Sequence, residues 1–195
     1  MTDAVPLLGR AQRREALLDA ADRIVQRDGP AASMATIAAE AGITKPILYR
    51  HFGDKDGLYG ALAERHTERL LTSLLDALEV PGPRRDRVAR TVDAYLAAIE
   101  AEPQVYRFLV HSDEAAGADS SVRSFTRRLS DLLAEGIGGE NGLDGTSVRA
   151  QTWAHGIVGM VQAAGDWWLE QRPCPRAEVV EELVVLLAGG YDLSG

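Results

Sequence analysis

The stretch Ser33 to Phe52, SMATIAAEAGITKPILYRHF, limits the fold more than any other part of the chain. It reads as two short helices meeting at a tight corner. Ser33 offers a hydroxyl to first-turn N–H groups that have no helical partner. Ile37, Ala38 and Ala41 recur at helical spacing. Gly42 stops the first helix, because only glycine enters the left-handed region without steric cost. Ile43 plugs the corner. Thr44 is the second N-cap, and Pro46 falls in the first turn, where its missing N–H costs little. Leu48 and Phe52, four apart, point inward together.

The opposite flank of the second helix carries Lys45, Tyr49, Arg50 and His51. A helix anchored on its apolar side, with such a flank left free, can lie in a DNA major groove. The same corner also occurs as a plain surface hairpin, and spacing alone leaves both readings open.

A longer run, ATIAAEAGITKPILYRHFGDKDGLY from Ala35 to Tyr59, carries a resemblance. From about Arg10 to Ala63 the chain is similar to the N-terminal domain of tetracycline-repressor-type (TetR family) transcription regulators; LYRHF followed by DKDGLY is the specific part. The resemblance covers roughly the first third, and the remainder matches only in helical layout. It implies an all-α protein of about nine helices. Residues 1–53 would form a three-helix DNA-binding domain with a helix-turn-helix, and residues 54–195 a helical regulatory and dimerisation domain. It implies that Lys45, Tyr49, Arg50 and His51 meet DNA, that Thr44 and Lys55 hold phosphates, and that Ser33 and Thr36 lie on the same surface. Ile47 would press against a thymine methyl. Pro46 and Ile47 stand where family members place Gly or Thr, so base readout rests on few side chains, chiefly Lys45 and Arg50. The implied partners are a palindromic double-stranded operator, a second copy of the chain, and a small apolar effector that releases a repressor.

The charge distribution fits a protein that binds DNA at one end. The net charge is −8. Residues 1–60 carry eight Lys/Arg and eight Asp/Glu, so the whole excess lies in residues 61–195. Arg10, Arg13, Arg14, Lys45, Arg50 and Lys55 are candidates for one basic surface, while Arg23 and Arg27 read as ordinary solvated charges.

Apolar periodicity places the other helices. One runs from about Gly9 to Arg27, with Leu17, Ala20 or Ala21, and Ile24 inward. Asp54 caps a long one, Lys55 to about Glu79, which would link the two domains as a rod. Pro81-Gly82-Pro83 breaks the chain before a helix over Arg84 to Ala101, and Pro103 opens a short further one. Val122 to about Glu135 is helical. Gly136 to Gly145 holds five glycines in ten residues and reads as a flexible loop. The last two helices, about Thr146–Glu170 and Arg176–Tyr191, flank Pro173-Cys174-Pro175. The first is dense in small residues and the second apolar around most of its circumference, so two copies of the pair would form a four-helix bundle.

Tyr95, Phe108, Phe125 and Trp153, with His111, His155 and Gln162 as polar groups, are candidates for an effector pocket between helices. Each is also a plausible plain core or surface residue. No metal-ligand spacing, nucleophile motif or phosphate loop is present, and no cofactor is expected. Trp167-Trp168 reads as packing at a bundle end or dimer rim. Cys174 is expected to be exposed in its loop and inert there; Arg172 and Arg176, close in sequence, leave a redox switch as the lesser reading. A single cysteine with no export signal points to the cytoplasm, and no apolar run is long enough to span a bilayer. Two other readings remain: a small-molecule-binding or enzymatic helical protein with a structural head, and an activator or architectural DNA binder whose body has no cavity.

Overall fold

The structure, a computed structural model, describes residues 9–29, 32–107 and 121–189. The helices are α1 (Arg10–Asp28), α2 (Met34–Glu40), α3 (Lys45–Phe52), α4 (Lys55–Glu79) and α5 (Arg84–Ala101). After them come α6, helical over 103–107 at the edge of the described residues, then α7 (Ser121–Asn141), α8 (Val148–Gln171) and α9 (Arg176–Gly189). No strand occurs among the described residues. No helix among them is long and apolar enough to cross a membrane.

The corner forms as its chemistry requires. The Ser33 hydroxyl accepts the Thr36 N–H at 3.1 Å. Gly42 sits at φ 65°, and Ile43 donates back to the Ala38 carbonyl at 3.0 Å. Leu48 is fully buried and Phe52 nearly so, both in a cluster with Leu18, Ile24 and Ile37 from α1 and α2. That cluster also takes Leu58, Ala61, Leu62 and Ala63 from the start of α4, and Val105 from α6. A second cluster gathers Leu74 of α4, Tyr95, Leu96 and Ile99 of α5, Trp168 of α8, and Leu183 of α9.

Two readings of local structure change. Helix α7 does not end near Glu135; it continues through Gly136, Gly138 and Gly139 to Asn141. Burial of Ala134 and Ile137 against Ala150 and Ala154 of α8 outweighs the weak propensity of glycine. Gly138 is required there, since a Cβ would lie 2.8 Å from the Leu143 carbonyl where the chain folds back. Cys174, expected outside, is half-buried beside the second cluster. Its backbone carbonyl accepts the Trp168 indole N–H at 2.9 Å. Burial and the nearby Glu178 push its thiol up. Arg172 and Arg176 spend their charge on Glu100 and Asp93, so nothing activates the sulfur. Of the Trp167-Trp168 pair, Trp168 is core and Trp167 stays 45% exposed.

Gly57 and Gly60 both fall in the first turns of α4, where glycine weakens a helix. The fold separates them. A Cβ on Gly57 would lie 2.1 Å from the Phe52 backbone carbonyl, whereas Gly60 faces open space. Gly57→Ala is therefore expected to lower stability by about 1–3 kcal/mol through overpacking. Gly60→Ala should raise it by about 0.5–1 kcal/mol. Urea unfolding of the two variants beside the wild type measures both.

Candidate nucleic-acid interface and interior cavity

Helix α3 is held from beneath by Leu48 and Phe52, and this fixes what it presents outward. Lys45, Pro46 and Arg50 are exposed, Tyr49 is 43% exposed, and Ile47 and His51 are half-buried. Thr44 caps the helix by backbone geometry alone; its side chain makes no capping hydrogen bond and is exposed. Ser33 and the half-buried Thr36 are 2.9 Å apart through their hydroxyls, so Ser33 is largely occupied in closing α2. At the start of α4 the Asp54 carboxylate accepts the Gly57 N–H at 2.7 Å. Exposed Lys55 lies with its Nζ 4.9 Å from the Tyr59 ring centre. Tyr59 in turn donates its hydroxyl to the Ala32 carbonyl at 2.7 Å, fixing the loop before α2.

The start of α1 adds to this surface. Arg10 and Arg13 are exposed, and the Arg14 guanidinium lies over the Phe52 ring at 5.1 Å. His51 is not the freely solvated group that its spacing suggested. Burial, then Arg50, Arg10, Arg13 and Arg14, press its imidazole below the ordinary value. Those four arginines thus share one field with the end of α3. Arg23 and Arg27 are elsewhere engaged, with Glu40 and Asp28, both at 2.7 Å.

A cavity of about 470 Å³ opens in the body between α4, α5, α7 and α8. Of the residues expected to line it, Tyr95 and Gln162 do. Trp153 does not; it packs half-buried beside the Ala134–Ala154 cluster, with Arg149 over its ring. His155 is on the outer face of α8, bonded to the Gln151 carbonyl at 2.9 Å. The inward stripe of α8 runs through Ala150, Ala154, Val158 and Gly165, and position 155 lies off it. Phe108 and His111 lie outside the described residues, as does the side chain of Phe125.

Other lining residues were not singled out from sequence. Leu70, Leu74 and Leu78 of α4 form much of one wall, and Tyr106 and His66 stand at one end. The excess of leucines on the far half of α4 is the one signal that could have indicated a second role for that helix. Tyr106 donates its hydroxyl to the Asp166 carboxylate and lies 3.1 Å from the Tyr95 hydroxyl.

Between interface and cavity lies a buried polar junction. His66 Nε2 contacts the Asp22 carboxylate of α1, and His66 Nδ1 is 3.3 Å from Glu102. Glu102 also accepts from the Gln26 side chain of α1 at 3.3 Å. Arg65 adds Asp19 and, at 3.6 Å, Asp22.

Comparison with known proteins agrees with this geometry. Residues 17–62 match the family model for bacterial regulatory proteins of the tetR family, and residues 73–194 match that for the tetracyclin repressor-like C-terminal domain. The body, expected to match in layout alone, thus has a family model of its own. The chain is 33% identical over 187 residues to the HTH-type transcriptional activator FasR of Mycolicibacterium smegmatis, covering 94% of this chain and 84% of that one. It is 30% identical over 181 residues to the HTH-type transcriptional regulator Rv0472c of Mycobacterium tuberculosis, covering 91% and 76%. A tetR-family transcriptional regulator from Streptomyces coelicolor superposes with a TM-score of 0.78 at 22% identity, over 95% of this chain and 85% of that one. A TetR-like regulator from Rhodococcus sp. RHA1 gives 0.69 at 26%, over 94% and 97%.

The lowered His51 pKa has a consequence for folding. The unfolded chain takes up a proton near the ordinary value of 6.5 before the folded one does. The stability that neutral His51 contributes is therefore complete above that value and is lost as pH falls through it toward the lower folded pKa. Urea unfolding at pH 7.5 and 5.5 should show a smaller acid loss in His51→Gln than in the wild type.

Proposed function

The chain belongs to the TetR family of bacterial regulatory proteins, and from that premise we propose that it acts as a homodimer whose two α3 helices read a palindromic operator and whose body cavity takes a small apolar effector that releases it. It is a DNA-binding transcriptional regulator, and we assign it no catalysis; its place of action is the cytoplasm, where the DNA is. The observation that carries the proposal is the division of α3 into a buried flank, Leu48 and Phe52, and a free one, Lys45, Tyr49 and Arg50, continuous with the arginines of α1.

In this reading Lys45 and Arg50 reach base edges, Tyr49 and Ile47 pack against sugar or a thymine methyl, and Thr44 and Lys55 hold phosphates. Pro46 removes a donor from the first turn and confines hydrogen-bonded readout to those few groups. His51, Ser33 and Thr36 border the contact.

Dimerisation is supported by the outer face of α8 and α9. Gly156, Gly159 and Met160 are exposed there, with Trp167, Val185 and Leu186 also left in solvent. Covering this apolar face with its twin gives a four-helix bundle. A two-fold axis sets the half-sites about one helical turn apart, roughly 34–36 Å for simple cases. The cavity favours an effector-responsive regulator over an architectural binder without one.

For the sign of regulation we propose repression. Activation is the second reading, favoured by the FasR relative being named an activator. Moving the bound operator from within a promoter to just upstream of it, with a transcription readout, separates the two.

Three variants test the assignment. Lys45→Ala should weaken binding by about 1–3 kcal/mol and relax base preference, as loss of a guanine contact does. Lys55→Ala should weaken all sequences alike and reduce the salt slope by about one unit. Gel-shift titrations at two salt concentrations distinguish them, and identical behaviour would refute the division of roles. Leu186→Glu should raise the dimer dissociation constant by about tenfold or more. Sedimentation would read this, with operator affinity falling in parallel.

A further inference from the structure

The body cavity is uneven in its hydrogen-bonding capacity. Most of its wall is aliphatic, from Leu70 and Leu74 on α4 to Leu129 and Ile157 on α7 and α8. Several hydroxyls set in that wall have already spent their protons inside the protein. Thr67 shares its proton between the carbonyls of Ala63 and Glu64, at 3.0 and 2.9 Å. Thr91 donates to the Arg87 carbonyl at 3.0 Å. Tyr106 donates to the Asp166 carboxylate. A phenol has one proton, so the 3.1 Å contact between Tyr95 and Tyr106 is filled by the proton of Tyr95. The relay runs from Tyr95 to Tyr106 to Asp166. Burial holds both phenols well above their ordinary range, so both remain neutral.

What these groups still offer a guest is lone pairs. His66, at the same end, directs both ring nitrogens at carboxylates, those of Asp22 and Glu102. Gln162 carries a donor and an acceptor and so does not discriminate. The Tyr95 end is thus rich in acceptors, with Asp166 bonded to Tyr106 and Glu102 to His66. The guanidiniums of Arg84 and Arg87 border the cavity beside Val80. His66 and Val80 are fourteen residues apart on the helix side of the cavity, about 21 Å at the helical rise.

We propose that this cavity selects an aliphatic molecule bearing a neutral or cationic hydrogen-bond donor, a hydroxyl, amide N–H or ammonium, seated against the Tyr95 oxygen, and that it excludes a carboxylate from that end. The inference rests on reading the cavity as the effector site and names the chemistry that the site takes. A carboxylate placed against Tyr95 would meet lone pairs with lone pairs, beside the half-buried Asp166 carboxylate, with no proton offered by either tyrosine. Such a ligand can enter only reversed, with its head toward Arg84, and its binding then ignores Tyr95.

The test uses three probes of equal chain length: decan-1-ol, decylamine and decanoate. Each is titrated calorimetrically into the full-length protein without DNA. The alcohol and the amine should bind at least about tenfold more tightly than decanoate, the effect of one well-placed hydrogen bond. Tyr95→Phe should abolish that preference and leave decanoate unchanged. Tyr106→Phe frees the Tyr95 proton to face the cavity and should raise decanoate affinity. Both changes keep the ring, and the wild-type series stands alone should either variant fail to fold. Equal or tighter decanoate binding in the wild type overturns the proposal. So does an indifferent Tyr95→Phe, or no binding of any probe. Operator retention is measured separately. Binding with the expected preference but no release of DNA would sink the effector reading while leaving the ligand chemistry in place.

Discussion

The 25 residues of α4 belong to two hydrophobic cores at once, and the arrangement of the molecule follows from that. A helix of that length spans about 37 Å, too far for one small core to cover. Its first two turns supply Leu58, Ala61 and Leu62 to the cluster that anchors α3. Its second half supplies Leu70 and Leu74 to the body and to the cavity wall. Neither cluster is complete without its share of α4, so the head is not an independent bead on a linker. The helix begins where Asp54 and Gly57 permit the chain to turn against the Phe52 carbonyl. The orientation of the exposed flank of α3 therefore depends on where α4 starts.

A second connection crosses at the α5–α6 corner. Val105 is buried in the head cluster, while its neighbour Tyr106 lines the cavity and holds Asp166. Glu102, three residues earlier, meets His66 of α4 and Gln26 of α1. His66 lies where the two cores adjoin, a member of the cavity wall that also contacts Asp22 of α1. Packed interiors shift between discrete arrangements rather than deforming smoothly. The wall at His66 and Tyr106 is thus joined through direct contacts to α1 and the head cluster.

Much of this was legible in the sequence, and the boundary of legibility has physical causes. Local chemistry reads well. Ser33, Gly42, Asp54 and Pro83 act through their own backbone or the next turn, and α4 and α5 have the limits that their caps and breakers indicate. What depends on a distant partner does not read. Gly136 to Gly139 remain helical because Ala134 and Ile137 on the same helix pack against Ala150 and Ala154 of α8. Nothing local distinguishes the indispensable Gly57 from Gly60. For the interface, anchored and free flanks followed from spacing, except that His51 is half-buried and stands in the field of Arg50 and of three arginines from α1. For the cavity, the aromatic residues drew attention, yet the wall is chiefly leucine. Trp153 and His155 have the right chemistry but point along directions of α8 that miss it. A leucine facing a void and one facing another leucine look the same in sequence.

In the proposed dimer the modest equipment of a single head makes the body part of recognition. Residues 1–60 have no net charge, and the free flank of α3 offers few hydrogen-bonding side chains. One half-site grip of this kind would be weak and salt-sensitive. Two grips held at a fixed spacing behave differently, because engagement of the first presents the second at an effective concentration set by geometry. In the proposed dimer that spacing is carried by α8 and α9 and passed to α3 through α4. A change of cavity shape that alters the angle of α4 then need not disturb any DNA-contacting side chain to weaken binding. It is enough that the two heads no longer match the pitch of the double helix.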